Sequence, residues 1–352
     1  MTPAFQYQVP KFEDKPMKAF EWINPTNLND AVKLLDTSDN RGADMDEAPR
    51  PIAGGQDLLT TMKDYITRPT RLVNLKNIKG LNRLSLDAKG LTIGALITLT
   101  ELEEHQGVRR NLPGLAEAAH SVASPQIRNL GTVGGNLCQR PRCWYFRLEE
   151  VECLKKGGSI CYAAEGENKY HAILGGGPSY IVHPSDLAPM LVALGAKLTV
   201  VGPEGKKVIP IEKFFTLPAE GSIRRENVLK NDEILTEIYI PQSGFAAHST
   251  YLKFKERDSL DFAMASVAAA LQMSGNTVKE ARIVLGGVAP IPWRVPEAEK
   301  YLVGKSLTKE TMTEAGKIAL AGAKPLDKNA YKVPLTQTLV RRALAKAGGV
   351  SA

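Results

Sequence analysis

Apolar residues between positions 18 and about 75 switch from helical to extended spacing and back. Leu28, Ala31, Val32 and Leu35 fall at i, i+3, i+4 and i+7, one face of an amphipathic helix, with Thr26 or Asn27 after Pro25 as its N-cap. Pro51 opens a short apolar strand that runs into a Gly54-Gly55 turn, and residues 72–75 read as a second strand. Residues 91–95 predict a strand, 98–105 a short helix and 115–122 a helix broken by Pro125. Regular patterning then lapses until Tyr180-Ile181-Val182, after which a helix over 187–194 and a strand over 197–201 are expected. Residues 234–240 alternate like a half-buried strand and stop at Pro241.

Gly, Pro and Ser collect between 241 and 249, the best domain boundary in the chain. Beyond it come strands near 251–255, 266–272 and 281–288, then helices near 309–323 and 335–347. Strands followed by helices predict an α+β end domain. At 352 residues, two or three domains are expected. Apolar residues at 43% and charged residues at 24% are ordinary globular usage, and no apolar run approaches the ~18 residues of a membrane span. The first 17 residues lack the apolar stretch of a signal peptide. The charge of +7 contains no block of five or six like charges, so a solvated surface that also handles an anionic cofactor is favoured over nucleic-acid binding.

Two glycine turns and one cysteine cluster could carry chemistry. In Ala53-Gly54-Gly55-Gln56-Asp57 and Gly131-Thr132-Val133-Gly134-Gly135-Asn136, small residues follow what reads as an apolar strand. Without Cβ atoms, backbone N–H groups can converge on a phosphate. Neither turn is a Rossmann or P-loop sequence, and each alone is also an ordinary tight turn. Together they could grip a dinucleotide's two phosphates from opposite sides. Cys138, Cys143, Cys153 and Cys161 are the only cysteines, spaced C-x4-C-x9-C-x7-C. These gaps suit structural zinc poorly and an iron–sulfur cluster better, with four unbonded thiols the remaining reading. Asp186 or Ser185 reads as an N-cap, Lys253, Lys255 and Arg257 as a solvated face, and no hydrolase triad is visible.

These residues together resemble the FAD-binding subunit of the molybdenum hydroxylases, the family of xanthine dehydrogenase, carbon monoxide dehydrogenase and aldehyde oxidoreductases. The resemblance rests on Ile52-Ala53-Gly54-Gly55-Gln56-Asp57-Leu58-Leu59, Ile93-Gly94-Ala95 and Ile127-Arg128-Asn129-Leu130 with the second glycine turn. It continues in Pro184-Ser185-Asp186-Leu187-Ala188-Pro189, in residues 253–263 and in Leu285-Gly286-Gly287-Val288-Ala289-Pro290. It implies an α+β chain: a two-lobed FAD-binding domain of the p-cresol-methylhydroxylase type over 17–242, then a smaller α+β domain over 243–352, with 1–16 an extension. The implied cofactor contacts are Arg50, Pro51, Ile52, Ala53, Gly54, Gly55, Gln56, Asp57 and Leu58, then Gly131, Thr132, Gly134, Gly135 and Asn136, and finally Asp186, Leu235 and Lys253.

The cysteine insertion, about 138–180, resembles a subset of the family with an extra [4Fe–4S] cluster, in which Cys143, Cys153 and Cys161 match ligands. That subset has a further cysteine where this chain has Ser179, so either Cys138 supplies the fourth thiolate, the preferred expectation, or the cluster takes a non-cysteine ligand or loses an iron. The implied role is electron transfer. Electrons would reach FAD from [2Fe–2S] clusters on a small subunit, fed by a molybdenum-cofactor large subunit, and leave to an external acceptor. The expected compartment is the cytoplasm, or the periplasm if a partner carries the chain across. Two rivals remain at this point: a zinc-stabilised nucleic-acid-binding module and a stand-alone flavin oxidase.

Overall fold

The structure is a computed structural model and describes residues 15–36 and 46–351; most of the expected extension over 1–16 lies outside them. The chain opens with β1 (Glu21–Ile23), α1 (Leu28–Leu35), β2 (Arg50–Ile52), α2 (Leu58–Lys63) and β3 (Arg71–Asn74). The helical spacing seen in the sequence is that of α1: Ala31, Val32 and Leu35 are buried, and the Asn27 side chain accepts from Asp30 N at 3.0 Å as its cap. The three strands form a parallel sheet in the order β1-β3-β2. Its short strands end where α2 begins, so the Gly54-Gly55 turn sits at the C-terminal edge of the sheet, the usual ligand side of an α/β unit.

A second sheet combines β4 (Leu84–Asp87), β5 (Gly90–Gly94), β6 (Lys197–Gly202), β7 (Gly205–Pro210) and β8 (Ile234–Pro241), all antiparallel, in the order β4-β5-β8-β6-β7. Between β5 and β6 lie seven short helices: α3 (Leu99–Glu104), α4 (Gln106–Asn111), α5 (Pro113–His120), α6 (Pro125–Leu130), α7 (Val133–Leu137), α8 (Trp144–Arg147) and α9 (Leu187–Ala193). Thr98 and Glu101 close a capping box on α3. Pro125 does not merely break α5. It stands at the first position of a new helix, α6, capped by Ser124, because proline's preset φ and missing N–H suit that position. The second glycine turn therefore follows a helix, not the strand expected, and runs directly into α7. Residues 180–182 form no strand.

The C-terminal part is an antiparallel sheet of β9 (Ser249–Phe254), β10 (Ala265–Ser274), β11 (Thr277–Gly286) and β12 (Trp293–Arg294), with α10 (Pro296–Leu302), α11 (Lys309–Ala319) and α12 (Lys332–Gly348). Strand β10 is buried on both faces. Ala268 and Ala270 face the core shared with α5 and α9, while Val267, Ala269 and Leu271 face the core built on α11 and α12. The C-terminal part thus runs strands then helices, as expected, and the chain as a whole combines helix and sheet. Among the described residues no helix is long and apolar enough to cross a membrane.

Candidate cofactor site

The two glycine turns lie against each other. A Cβ on Gly54 would fall onto the carbonyl of Leu130, 2.8 Å from its carbon, and 3.3 Å from Gly131 Cα, so only glycine lets the backbones approach this closely. Gly55 takes φ +73°, the left-handed turn that redirects the chain into α2. The ladder of α2 begins with Leu59 N donating to Gly55 O at 2.9 Å, and among the described residues the preceding amides have no backbone acceptor. The second turn behaves differently. Val133 N donates to Ile97 O (2.8 Å), Gly134 N to Ala95 O (2.9 Å) and Gly135 N to Thr132 Oγ1 (3.1 Å). Its amides bind the fold, so it forms a floor and not the second half of a phosphate grip.

Above this floor is a cavity of about 460 Å³. Its walls include every residue of 50–58, Gly131, Thr132, Gly134, Gly135 and Asn136, and Leu235 at the start of β8. Sequence reasoning missed the opposite wall, which is the loop before β8: Arg224, Arg225, Glu226, Asn227 and Lys230. No glycine turn marks that loop, and the adjacent Arg224-Arg225 pair was its only signal. On its walls Arg50, Arg140, Arg142, Arg224, Arg225 and Lys230 outnumber Asp57, Glu226 and Glu233, so the cavity is cationic. Burial, with Arg140 next, lowers the Arg50 pKa to about 10.

Asp186 and Lys253 lie apart from this cavity. Lys253 Nζ meets Asp186 Oδ2 at 2.8 Å and Ser121 O at 3.0 Å, and Tyr251 OH donates to Asp186 Oδ1 at 2.6 Å. Both charged side chains are about 5% exposed or less. Asp186 walls a neighbouring cavity of about 340 Å³, whose boundary with the first is shared by Arg142, Leu260 and Phe262. His183 lines it too, neutral because burial lowers its pKa to about 4.

Three cysteines converge and one does not. Cys143, Cys153 and Cys161 line one small cavity of about 10 Å³ together with His171 and Ser179. His171 Nε2 is 3.1 Å from Cys143 Sγ, and its Nδ1 is buried with no hydrogen-bond partner among the described residues. Cys138 instead closes α7, packs on the main core and faces the larger cavity, with burial pushing its thiol up to about 12. The expected fourth thiolate is therefore not placed with the other three, because the turn of α7 directs residue 138 to the other side of the segment. Among the described residues no three His, Cys, Asp or Glu side chains are disposed to hold a single metal ion.

Asp57 is the most heavily engaged residue of the first turn. Arg142 Nη1 and Arg147 Nη2 both reach its Oδ1, the latter at 2.7 Å, and Arg140 N donates to Oδ2 at 2.6 Å. Burial works to raise its pKa, yet the two guanidinium groups and the backbone donor hold the carboxyl below the usual range.

Residues 18–243 match the family model described as the FAD binding domain in molybdopterin dehydrogenase, and 249–347 that of the CO dehydrogenase flavoprotein C-terminal domain. The chain is 36% identical to an aldehyde oxidoreductase FAD-binding subunit of Escherichia coli K12, over 84% of this chain and 90% of that one. It is 29% identical to the carbon monoxide dehydrogenase medium chain of Hydrogenophaga pseudoflava, over 92% and 96%. Among solved structures, carbon monoxide dehydrogenase from Hydrogenophaga pseudoflava lacking the Mo-pyranopterin moiety superposes with a TM-score of 0.73 at 28% identity, covering 96% of this chain and 100% of that one.

Proposed function

This chain belongs to the FAD-binding subunits of the molybdenum-cofactor hydroxylases, and from that premise we propose how its residues hold the flavin and which partners it serves. As an oxidoreductase subunit it binds FAD, which accepts electrons singly and can release them in pairs. The turn at 54–58 and the cations Arg50, Arg224 and Arg225 suit the pyrophosphate, over the floor made by Gly131, Thr132, Gly134, Gly135 and Asn136. Leu235 would meet the flavin end. Asp186 would meet it from the adjoining cavity, with Lys253 acting through Asp186. One observation carries this reading: two turns 70 or more residues apart in sequence wall a single cationic cavity, and among the described residues the amides of the 53–58 turn have no backbone acceptor.

The finer reading is an iron–sulfur cluster on Cys143, Cys153 and Cys161, supplying a one-electron carrier beside the flavin. What supports it is the donor set: three soft thiols line one small cavity of about 10 Å³, with an imidazole nitrogen left without a partner among the described residues. Lys155, between Cys153 and Cys161, is anchored by Glu226 at 2.8 Å, which keeps that stretch against the cavity wall. The partners proposed are a molybdenum-cofactor large subunit and a [2Fe–2S] small subunit, consistent with the medium-chain relatives, and an external electron acceptor.

The test is an absorption spectrum of the anaerobically purified protein with flavin, iron and zinc assays on the same sample. One flavin per chain over a broad iron–sulfur shoulder is expected. A colourless protein without flavin, loaded with zinc or metal-free, refutes the reading and returns the zinc-stabilised module; substrate turnover by the isolated chain returns the stand-alone oxidase.

A further inference from the structure

The cysteine-bearing segment is fastened to the flavin cavity at two points. At the first, the carboxylate of Asp57, which begins α2, is filled by Arg142, Arg147 and the amide of Arg140. Arg147 also donates its Nε to Pro141 O at 2.7 Å, and the Arg142 guanidinium lies 5.0 Å from the centre of the Phe262 ring. At the second, Glu226 on the opposite wall takes Arg140 at 2.7 Å and Lys155 at 2.8 Å, and Lys155 donates to Ile223 O at 2.6 Å. Every side chain in these pairs is less than a third exposed, and Lys155 and Glu226 are almost fully buried.

A bare carboxylate beside a diphosphate would repel it. Here the two arginines neutralise it, and its acceptor sites face the cysteine segment. We infer that Asp57 is a positioning residue that locks the cysteine segment onto the flavin-binding turn, so that flavin occupancy and the order of that segment stabilise each other. Linkage makes the coupling reciprocal: whatever orders residues 140–155 tightens flavin, and flavin orders residues 140–155. The inference rests on the larger cavity being the FAD site.

The experiment uses the full-length protein. Limited proteolysis near exposed Leu148 and Ile160 is followed with FAD bound and after its removal, and flavin retention is measured by fluorescence. Wild-type protein should be cut on the order of 10-fold more slowly with FAD bound. Arg147 is the clean probe because it does not line the cavity. Arg147→Gln should weaken flavin retention on the order of 10-fold and abolish the protection. Asp57→Asn should act in the same direction, and the double variant should be no weaker than the weaker single variant.

A role through charge alone gives opposite signs, since Asp57→Asn would remove a negative charge beside the phosphates and tighten binding. Opposite signs, or additive losses, overturn the lock. So does a wild-type segment cut equally fast with and without FAD, a comparison that needs no variant to fold. Arg147→Lys keeps the charge but loses the guanidinium fork, and should retain only part of the protection. Wild-type protein that never holds flavin overturns the FAD reading along with the lock, whereas flavin-loaded protein with an indifferent segment overturns the lock alone.

Discussion

Gly54→Ala tests the contact on which the site is built. The added Cβ would overlap the Leu130 carbonyl, 2.8 Å from its carbon, and real Cβ atoms essentially never come within 3.0 Å of another heavy atom. The obstacle is backbone, so no rotamer change relieves it. The two turns would have to part by on the order of 1 Å, a displacement that can cost about 100-fold where groups must be held in register with a ligand. Overpacking of this kind costs about 1–3 kcal/mol, which corresponds to roughly 5- to 150-fold in an equilibrium. The expected result is protein that folds, melts a few degrees lower and is purified with flavin well below one per chain. Gly322→Ala is the matched control, because a Cβ there meets nothing within 4 Å, and it should stay within about ±0.5 kcal/mol of wild type with full flavin. The reasoning is refuted if Gly54→Ala retains flavin and melting temperature like the control.

Two further outcomes follow from buried groups. Replacing Cys143, Cys153 or Cys161 by Ser should each lower the iron content, whereas Cys138→Ser should leave iron per chain unchanged; an equal loss in all four, read by colorimetric iron assay, would return Cys138 to the ligand set. Lys332 is completely buried, donating to Tyr170 O at 2.8 Å and Gly287 O at 2.7 Å, and burial lowers its pKa from 10.5 to about 7. Between those two values the unfolded chain binds a proton that the folded protein releases, so the Lys332 contribution to stability improves as pH rises through that window and its cost is fully present below pH 7. Melting temperature against pH should therefore have a less positive slope between pH 7 and 10.5 in Lys332→Met than in wild type, and parallel curves would contradict the lowered pKa.

What the sequence disclosed depended on whether one rule acted alone. α1 was legible because its apolar face and Asn27 cap agree, and β8 because it alternates and ends at Pro241. β7 was not, since its residues are mostly exposed and leave no period-two signal. Pro125 satisfies two rules, helix breaker and helix starter, and only its neighbour Ser124 as cap decides between them. The first glycine turn was readable through Gly54 and Gly55, but the facing wall at 224–231 carries ordinary polar residues whose meaning comes only from being brought opposite. The cysteine spacing pointed to a shared site. It could not show that α7 turns Cys138 away from the other three, because that depends on where a five-residue helix ends.

The Lys253–Asp186–Tyr251 set has a consequence for modularity. Lys253 and Tyr251 come from β9, while Asp186 and the Ser121 carbonyl belong to the preceding domain, and the apolar core runs unbroken from Leu115 and Leu191 through Tyr251 to Ala268. Pairing either part with a counterpart that lacks its member of this set would leave the other charge buried and unpaired. The C-terminal domain is therefore not an exchangeable cassette. A chimera assembled from two members of this family would inherit a working seam only if the aspartate, the lysine and the tyrosine were transplanted as one unit.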